Sequence, residues 1–178
     1  MVNINYLKNP FNYIGGKYKL LPQILPLFPK KIDKFVDLFG GGGEVSLNVN
    51  AKQVVYNDKC KPLVNIFRNL DSKFVYEVKE MIDTYKLNKF SKQEFLNLRS
   101  YYNTNLKDNL DRENAVVLYC LITHAFNYQI AFNKNKEFNM PSGASRSYFS
   151  KSLEDKLVKY IEAIDKKNIS FYSSDFII

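Results

Sequence analysis

Residues 34–58 read KFVDLFGGGGEVSLNVNAKQVVYND, and this stretch decides the fold. Residues 34–39 are a short apolar run that stops abruptly at Gly40, Gly41, Gly42 and Gly43, after which residues 44–49 have helical spacing. That pattern is a strand, a tight loop and a helix. Residues 53–56 are a second β-branched run, closed by Asn57 and Asp58. Pro62 then falls in the first turn of a helix carrying Leu63, Ile66, Phe67 and Leu70, where its missing N–H leaves no bond unmade. Two βα units in succession predict an α/β fold with a parallel sheet.

Farther along, apolar positions recur at three- and four-residue spacing over residues 74–102, which predicts helix, and Ser91 with Glu94 predicts a capping box. Residues 114–128 are apolar on most faces, as in a buried helix, and residues 131–148 are polar, basic and turn-rich, as in an exposed loop or hairpin. Residues 152–164 are amphipathic with Leu153, Leu157, Ile161 and Ile164 inward, and residues 168–172 return to a strand pattern. The predicted order is βα, βα, a largely helical insertion beside the sheet, then αβ.

The chain has 178 residues, enough for one core with a small insertion. It carries 26 Lys and Arg against 18 Asp and Glu, a net charge of +8. That balance fits a polyanionic partner. It fits equally the Lys, Asn, Ile and Tyr bias of an AT-rich coding sequence. Cys60, Cys120 and the single His124 are too few and too dispersed for a metal site, and both thiols are expected reduced and in the core. No apolar run is long enough to span a bilayer and the first ten residues have no signal-peptide core, so the expectation is a cytoplasmic protein without membrane contact.

A glycine cluster between strand and helix lets backbone approach a ligand closely, and in dinucleotide folds an acidic residue about 20 positions later takes the ribose hydroxyls. Asp58 stands there, but Val45 replaces the third glycine of that fingerprint, which points to a nucleoside without pyrophosphate. A plain strand-to-helix turn with a solvated Asp58 satisfies the same residues. Residues 9–20 read NPFNYIGGKYKL, a second glycine turn with Lys17 at its tip, and it lacks the spacing of a P-loop.

Together these stretches resemble the Dam-like, alpha-class DNA adenine-N6 methyltransferases. The family's PF-x-x-x-GGK segment is matched by Pro10, Phe11, Gly15, Gly16 and Lys17. Its strand-borne Phe-Val-Glu/Asp-Pro-Phe-x-Gly-Gly-Gly is matched by Phe35, Val36, Asp37, Phe39, Gly41, Gly42 and Gly43, with Leu38 in place of proline. Asn57, Asp58, Pro62, Leu63 and Asn65 match the next motif, and Phe126, Asn127, Phe132, Asn133, Phe138, Asn139, Pro141 and Gly143 match the target-recognition region. The match covers about the first two thirds of a typical member.

The resemblance implies an incomplete Rossmann-like methyltransferase sheet that binds S-adenosylmethionine, with a helical target-recognition insertion. It divides the chain into a cofactor-binding part at 1–72, the insertion at 73–150, and a return to the sheet at 151–178. The implied cofactor residues are Tyr13, Gly15, Gly16, Lys17, Asp37, Phe39, Gly40, Gly41, Asp58, Asp175 and Phe176. Lys17 would face the methionine carboxylate, Asp58 the ribose, and Asp175 with Phe176 the adenine. For Lys17, Asp37 and Asp175 taken singly, a surface charge is the plainer alternative. The implied contacts to double-stranded DNA are Asn127, Asn133, Lys134, Lys136, Asn139 and Arg146, weakly specific because Ala131 replaces the family's arginine; a solvated hairpin is their alternative. Phe126, Tyr128, Phe132 and Phe138 are expected to be packing residues.

The family holds the target amine with an Asp-Pro-Pro-Tyr motif, which does not occur in this sequence. Transfer to an exocyclic amine needs acceptors for its N–H bonds, so these residues alone are expected not to methylate DNA. They would need a complementing polypeptide carrying that motif, or a second copy, or else be a truncated relic or a fragment of a longer chain. The rival expectation is a catalytically inert methyltransferase fold that binds DNA or protein.

Overall fold

The computed structural model describes residues 6–175. β1 (Lys34–Asp37), β2 (Gln53–Asn57) and β3 (Ile169–Tyr172) form a parallel sheet in the order β1-β2-β3. Val36 pairs with Val55, and Val55 with Ser170, so the last strand joins the sheet beside the second. β2 is central, and its Val54 and Tyr56 are fully buried, as strands covered on both faces require. Among the described residues β1 pairs only with β2 and leaves Val36 about half exposed.

The helices are α1 (Leu21–Ile24), α2 (Glu44–Asn48), α3 (Lys61–Asn69), α4 (Phe74–Thr84), α5 (Lys92–Tyr101), α6 (Arg112–His124) and α7 (Lys151–Asp165). α3 lies against β3 and presents Phe67 as an aromatic hub. Its ring is 5.2 Å from Tyr56, 5.6 Å from Phe171, 6.0 Å from Tyr160 and 6.0 Å from Phe11. One side chain thus joins the N-terminal segment, two strands and α7.

The insertion stands behind α3, organised on α6, whose residues from Asn114 through His124 are all buried. α3, α4 and α5 pack around it. Asn114 fixes the docking: its amide donates to the Leu106 carbonyl at 2.7 Å and accepts from the Asn65 amide at 3.0 Å, so these two buried amides are paired across the helices. One continuous apolar core runs from Phe11 and Tyr56 through α6 to Phe138.

Three local expectations are corrected. The helical stretch 74–102 is broken at residues 85–91, where Lys86 takes a left-handed φ of 52°. Ser91 precedes α5 without the expected capping box, because its hydroxyl serves the preceding turn, accepting from the Asn88 N–H at 2.7 Å and donating to the Asn88 carbonyl at 2.8 Å. The buried helix begins at Arg112, capped by Asp111 through the Asn114 N–H at 2.9 Å, and ends at His124; beyond it Phe126–Tyr128 is a 3₁₀ turn. No helix among the described residues is long and apolar enough to cross a membrane.

Because Phe67 touches four separate elements, Phe67→Ala leaves a cavity that no single neighbour can fill. The expected loss is about 3–5 kcal/mol of unfolding free energy, read by denaturant titration.

Candidate nucleoside site

Between β1 and α2 the chain turns through four glycines, and three side chains hold that turn from below and beside. The Tyr56 hydroxyl on β2 donates to the Gly41 carbonyl at 2.7 Å, and the Tyr160 hydroxyl on α7 donates to the Gly42 carbonyl at 2.9 Å. Asp58 accepts from the Gly41 N–H at 2.9 Å through one oxygen and from the Cys60 N–H at 2.8 Å through the other. Burial pushes both phenols well above their ordinary range, so they remain protonated donors. Side chains are excluded along this turn. A Cβ at Gly40 would lie 2.1 Å from the Tyr56 ring, and Gly43, at φ 77°, would place one 2.5 Å from the Tyr160 hydroxyl.

The N-terminal turn closes over this loop. Its Gly16 N–H donates to the Tyr13 carbonyl at 3.0 Å, Gly15 takes a φ of 83°, and the Lys17 ammonium folds back to the Gly15 carbonyl at 2.6 Å. The Tyr13 ring lies against Gly41, and its phenol is pushed up to about 12, first by burial and then by the Asp58 charge. The Asn9 amide reaches across to the Glu44 carboxylate, which is 4% exposed. Burial raises the Glu44 carboxyl above its ordinary range, against the lowering effect of its hydrogen bonds and of Lys17.

The space enclosed is a cavity of about 360 Å³, at the lower end of small-molecule sites. Its walls are residues 13–17, residues 38–42, Glu44, residues 57–59 and Ser174. Asn57 gathers the strand ends at the rim: its amide donates to the carbonyls of Leu38 and Ser174, each at 3.1 Å, and accepts from the Ser174 N–H at 2.9 Å.

Of the residues singled out from the sequence, Tyr13, Gly15, Gly16, Lys17, Phe39, Gly40, Gly41 and Asp58 line this one cavity. Asp37 does not. It lies beneath the loop and accepts from the Ser46 hydroxyl at 2.7 Å. Asp175 follows the lining residue Ser174 and is exposed, and Phe176 falls outside the described residues. Glu44 and Tyr160 belong to the site without having been singled out from the sequence. Glu44 carried a signal, as an acid directly after the glycines; Tyr160 carried none, because its helix read as inward at Leu157 and Ile161.

The turn after α6 adjoins the cavity through the Asn12 N–H, which donates to the Tyr128 carbonyl at 3.0 Å. Asn127 is exposed at φ 54°, and Lys134, Lys136, Asn139 and Arg146 are exposed as well. Asn133 uses its side chain on its own turn, accepting from Asn135 and Glu137 N–H groups at 2.9 and 3.0 Å and donating to the Glu137 carboxylate at 2.8 Å. Phe138 packs edge-on against Phe132 as expected, whereas Phe126 is 44% exposed, because the helix ends before it and the 3₁₀ turn directs it outward.

The family model described as D12 class N6 adenine-specific DNA methyltransferase matches residues 13–178. The chain is 46% identical to "Type II methyltransferase M.FokI" of Planomicrobium okeanokoites over 97% of its own length and 26% of that protein. It is 41% identical to "Modification methylase StsI" of Streptococcus sanguinis over 96% of itself and 26% of the relative. With "Type II methyltransferase M1.LlaDCHI" of Lactococcus lactis subsp. cremoris the identity is 28% over 94% of the chain and 58% of the relative. The chain therefore spans about a quarter of the length of the first two.

The raised Glu44 carboxyl has a thermodynamic signature. A folded-state value above the unfolded one favours the fold while the group is protonated, and that contribution is lost as pH rises through the folded-state value. Thermal melting of Glu44→Gln is expected to exceed the unsubstituted chain more at neutral pH than in mild acid. A difference independent of pH would contradict the assignment.

Proposed function

The chain belongs to the D12 class N6 adenine-specific DNA methyltransferase family, and from that premise we propose that the cavity binds S-adenosylmethionine and that residues 73–150 present DNA to it. The observation that carries this reading is the convergence of the N-terminal turn, the glycine loop and Asp58 on a single cavity of about 360 Å³. The donor set suits the ligand. Asp58 uses one lone pair on each oxygen for a backbone N–H, leaving capacity to accept from ribose hydroxyls. Lys17 at one end would pair with the methionine carboxylate, and Glu44, an acceptor when ionised, with its ammonium group. The glycine backbone lies flat beside the ligand because no Cβ intervenes. Asp175 and Phe176 would flank the adenine, and Asp37 would act from beneath by bracing α2 through Ser46.

The bound cofactor supplies a methyl group on a sulfonium. The chain's own part is to bind and orient it and to hold DNA through Asn127, Lys134, Lys136, Asn139 and Arg146, with salt-sensitive and weakly specific contacts, while Asn133, its side chain spent on its own turn, would shape the hairpin that presents them. Acceptors for the target amine, the role of Asp-Pro-Pro-Tyr in this family, would be contributed from outside these 178 residues. The activity proposed for the assembled protein is adenine-N6 methylation in a restriction-modification setting.

Isothermal titration with S-adenosylmethionine tests the cofactor reading. Binding by the unsubstituted chain is expected, weakened about ten- to hundredfold by Asp58→Asn and about tenfold by Lys17→Ala, whose side chain is exposed. Absence of heat from the unsubstituted chain would overturn it. In a separate assay, methyl transfer to duplex DNA is expected only when a polypeptide carrying Asp-Pro-Pro-Tyr is added; cofactor and DNA binding without transfer in that mixture is the behaviour of an inert binding module.

A further inference from the structure

The three strands run parallel, so the segments that lead into them gather at one end of the sheet. Leu38, Asn57 and Ser174, which line the cofactor cavity, stand at the other end, a strand length of about 13 Å away. The leading segments are basic: Lys30, Lys31 and Lys34 bring the chain into β1, Lys52 into β2, and Lys166 and Lys167 into β3. The acids in these segments are Asp33 and Asp165, and Asp33 is engaged by Lys52 at 2.7 Å. Lys30, Lys31, Lys34, Lys52 and Lys166 are exposed. Lys167 is half-buried and donates to the carbonyls of Val49 at 2.6 Å and Leu47 at 3.3 Å. These lysines are separate from Lys61, Lys107 and Lys136, which line a cleft beside the cofactor cavity.

A groove of about 510 Å³ opens at this basic end. Leu25, Pro26, Phe28, Ile32 and Val49 make its walls apolar, and Lys30 stands among them. Lys52 donates its backbone N–H to the Ile32 carbonyl at 2.9 Å, and Lys167 reaches the Val49 carbonyl, so groove and cations form one surface. Leu27, between the wall residues Pro26 and Phe28, is 83% exposed. Fixed φ angles at Pro26 and Pro29 stiffen the wall, which lowers the entropy lost when a ligand docks.

The occupant has to answer both features. A nucleic-acid duplex offers phosphates to the lysines, but its apolar base faces are stacked inside and leave the groove unfilled. An extended peptide in which carboxylates flank an apolar side chain supplies charge to the rim and an anchor to the groove. We propose that this end of the sheet docks an acidic segment of a partner protein, its carboxylates on Lys30, Lys31, Lys34 and Lys52 and an apolar side chain in the groove beside Leu27. The proposal goes beyond the methyltransferase reading and does not depend on it. A partner held here leaves the cofactor cavity open at the opposite end.

Fluorescence polarisation with two labelled peptides of equal length and charge tests it, one alternating Glu with Phe and Leu, the other alternating Glu with Gly. The first is expected to bind more tightly, and to weaken as salt rises. Lys30→Glu and Lys52→Glu, both exposed, should each weaken it about fivefold. Leu27→Ser should weaken the first peptide about five- to tenfold and leave the second unchanged. Titration of the same variants with S-adenosylmethionine should match the unsubstituted chain, which separates this surface from the cavity. Equal affinity for the two peptides, no binding of either, or unchanged affinity in both lysine variants overturns the proposal and leaves the methyltransferase reading standing. A labelled DNA duplex that displaces the first peptide and loses affinity in both lysine variants overturns it too, assigning the surface to nucleic acid.

Discussion

The glycine turn after β1 keeps its shape because protonated phenols from two different elements hold its carbonyls. Tyr56 belongs to the strand beside the turn, while Tyr160 comes from a helix more than a hundred residues later. Neither hydroxyl ionises in its buried place, so each remains a donor, and the two phenols approach the turn so closely that no Cβ fits at Gly40 or Gly43. Asp58 completes the restraint by taking the Gly41 N–H. α7 reaches the turn through Tyr160, and without it the Gly42 carbonyl would lose its buried donor.

The same economy of contacts joins the insertion to the sheet. α6 is apolar on all sides and is buried by α3, α4 and α5, and Asn65 and Asn114 set the register of α3 against it with paired amides. The turn that follows α6 accepts a backbone bond from Asn12, one residue before the cavity residue Tyr13. That bond places the turn one residue along the chain from the wall of the cavity.

Charge follows the same geography. Lysines from the core and from the insertion meet at the cleft beside the cavity, although they are scattered in the sequence. Of the hairpin's exposed basic residues Lys136 lines that cleft, while Asn133 is spent on folding its own turn. A net charge of +8 says nothing of such placement. Its meaning depends on which lysines share a surface.

Much of the architecture is legible in the order of the amino acids. The periodicity of residues 34–70 determines two βα units, and the same kind of pattern marks the returning strand near residue 170 and a buried helix in the insertion, because strand and helix spacing are local properties of apolar pattern. Motif order alone points to the family, and eight of the eleven cofactor residues expected from it share a cavity. Tertiary structure decided the rest. Ser91 turned from Glu94 to Asn88 because a nearby backbone turn offered two bonds, and Asp37 was drawn beneath the loop by Ser46. Glu44 and Tyr160 entered the site, and Lys61, Lys107 and Lys136 came together, through contacts between segments distant in sequence, and no local spacing encodes which distant side chain will fill the space above a glycine.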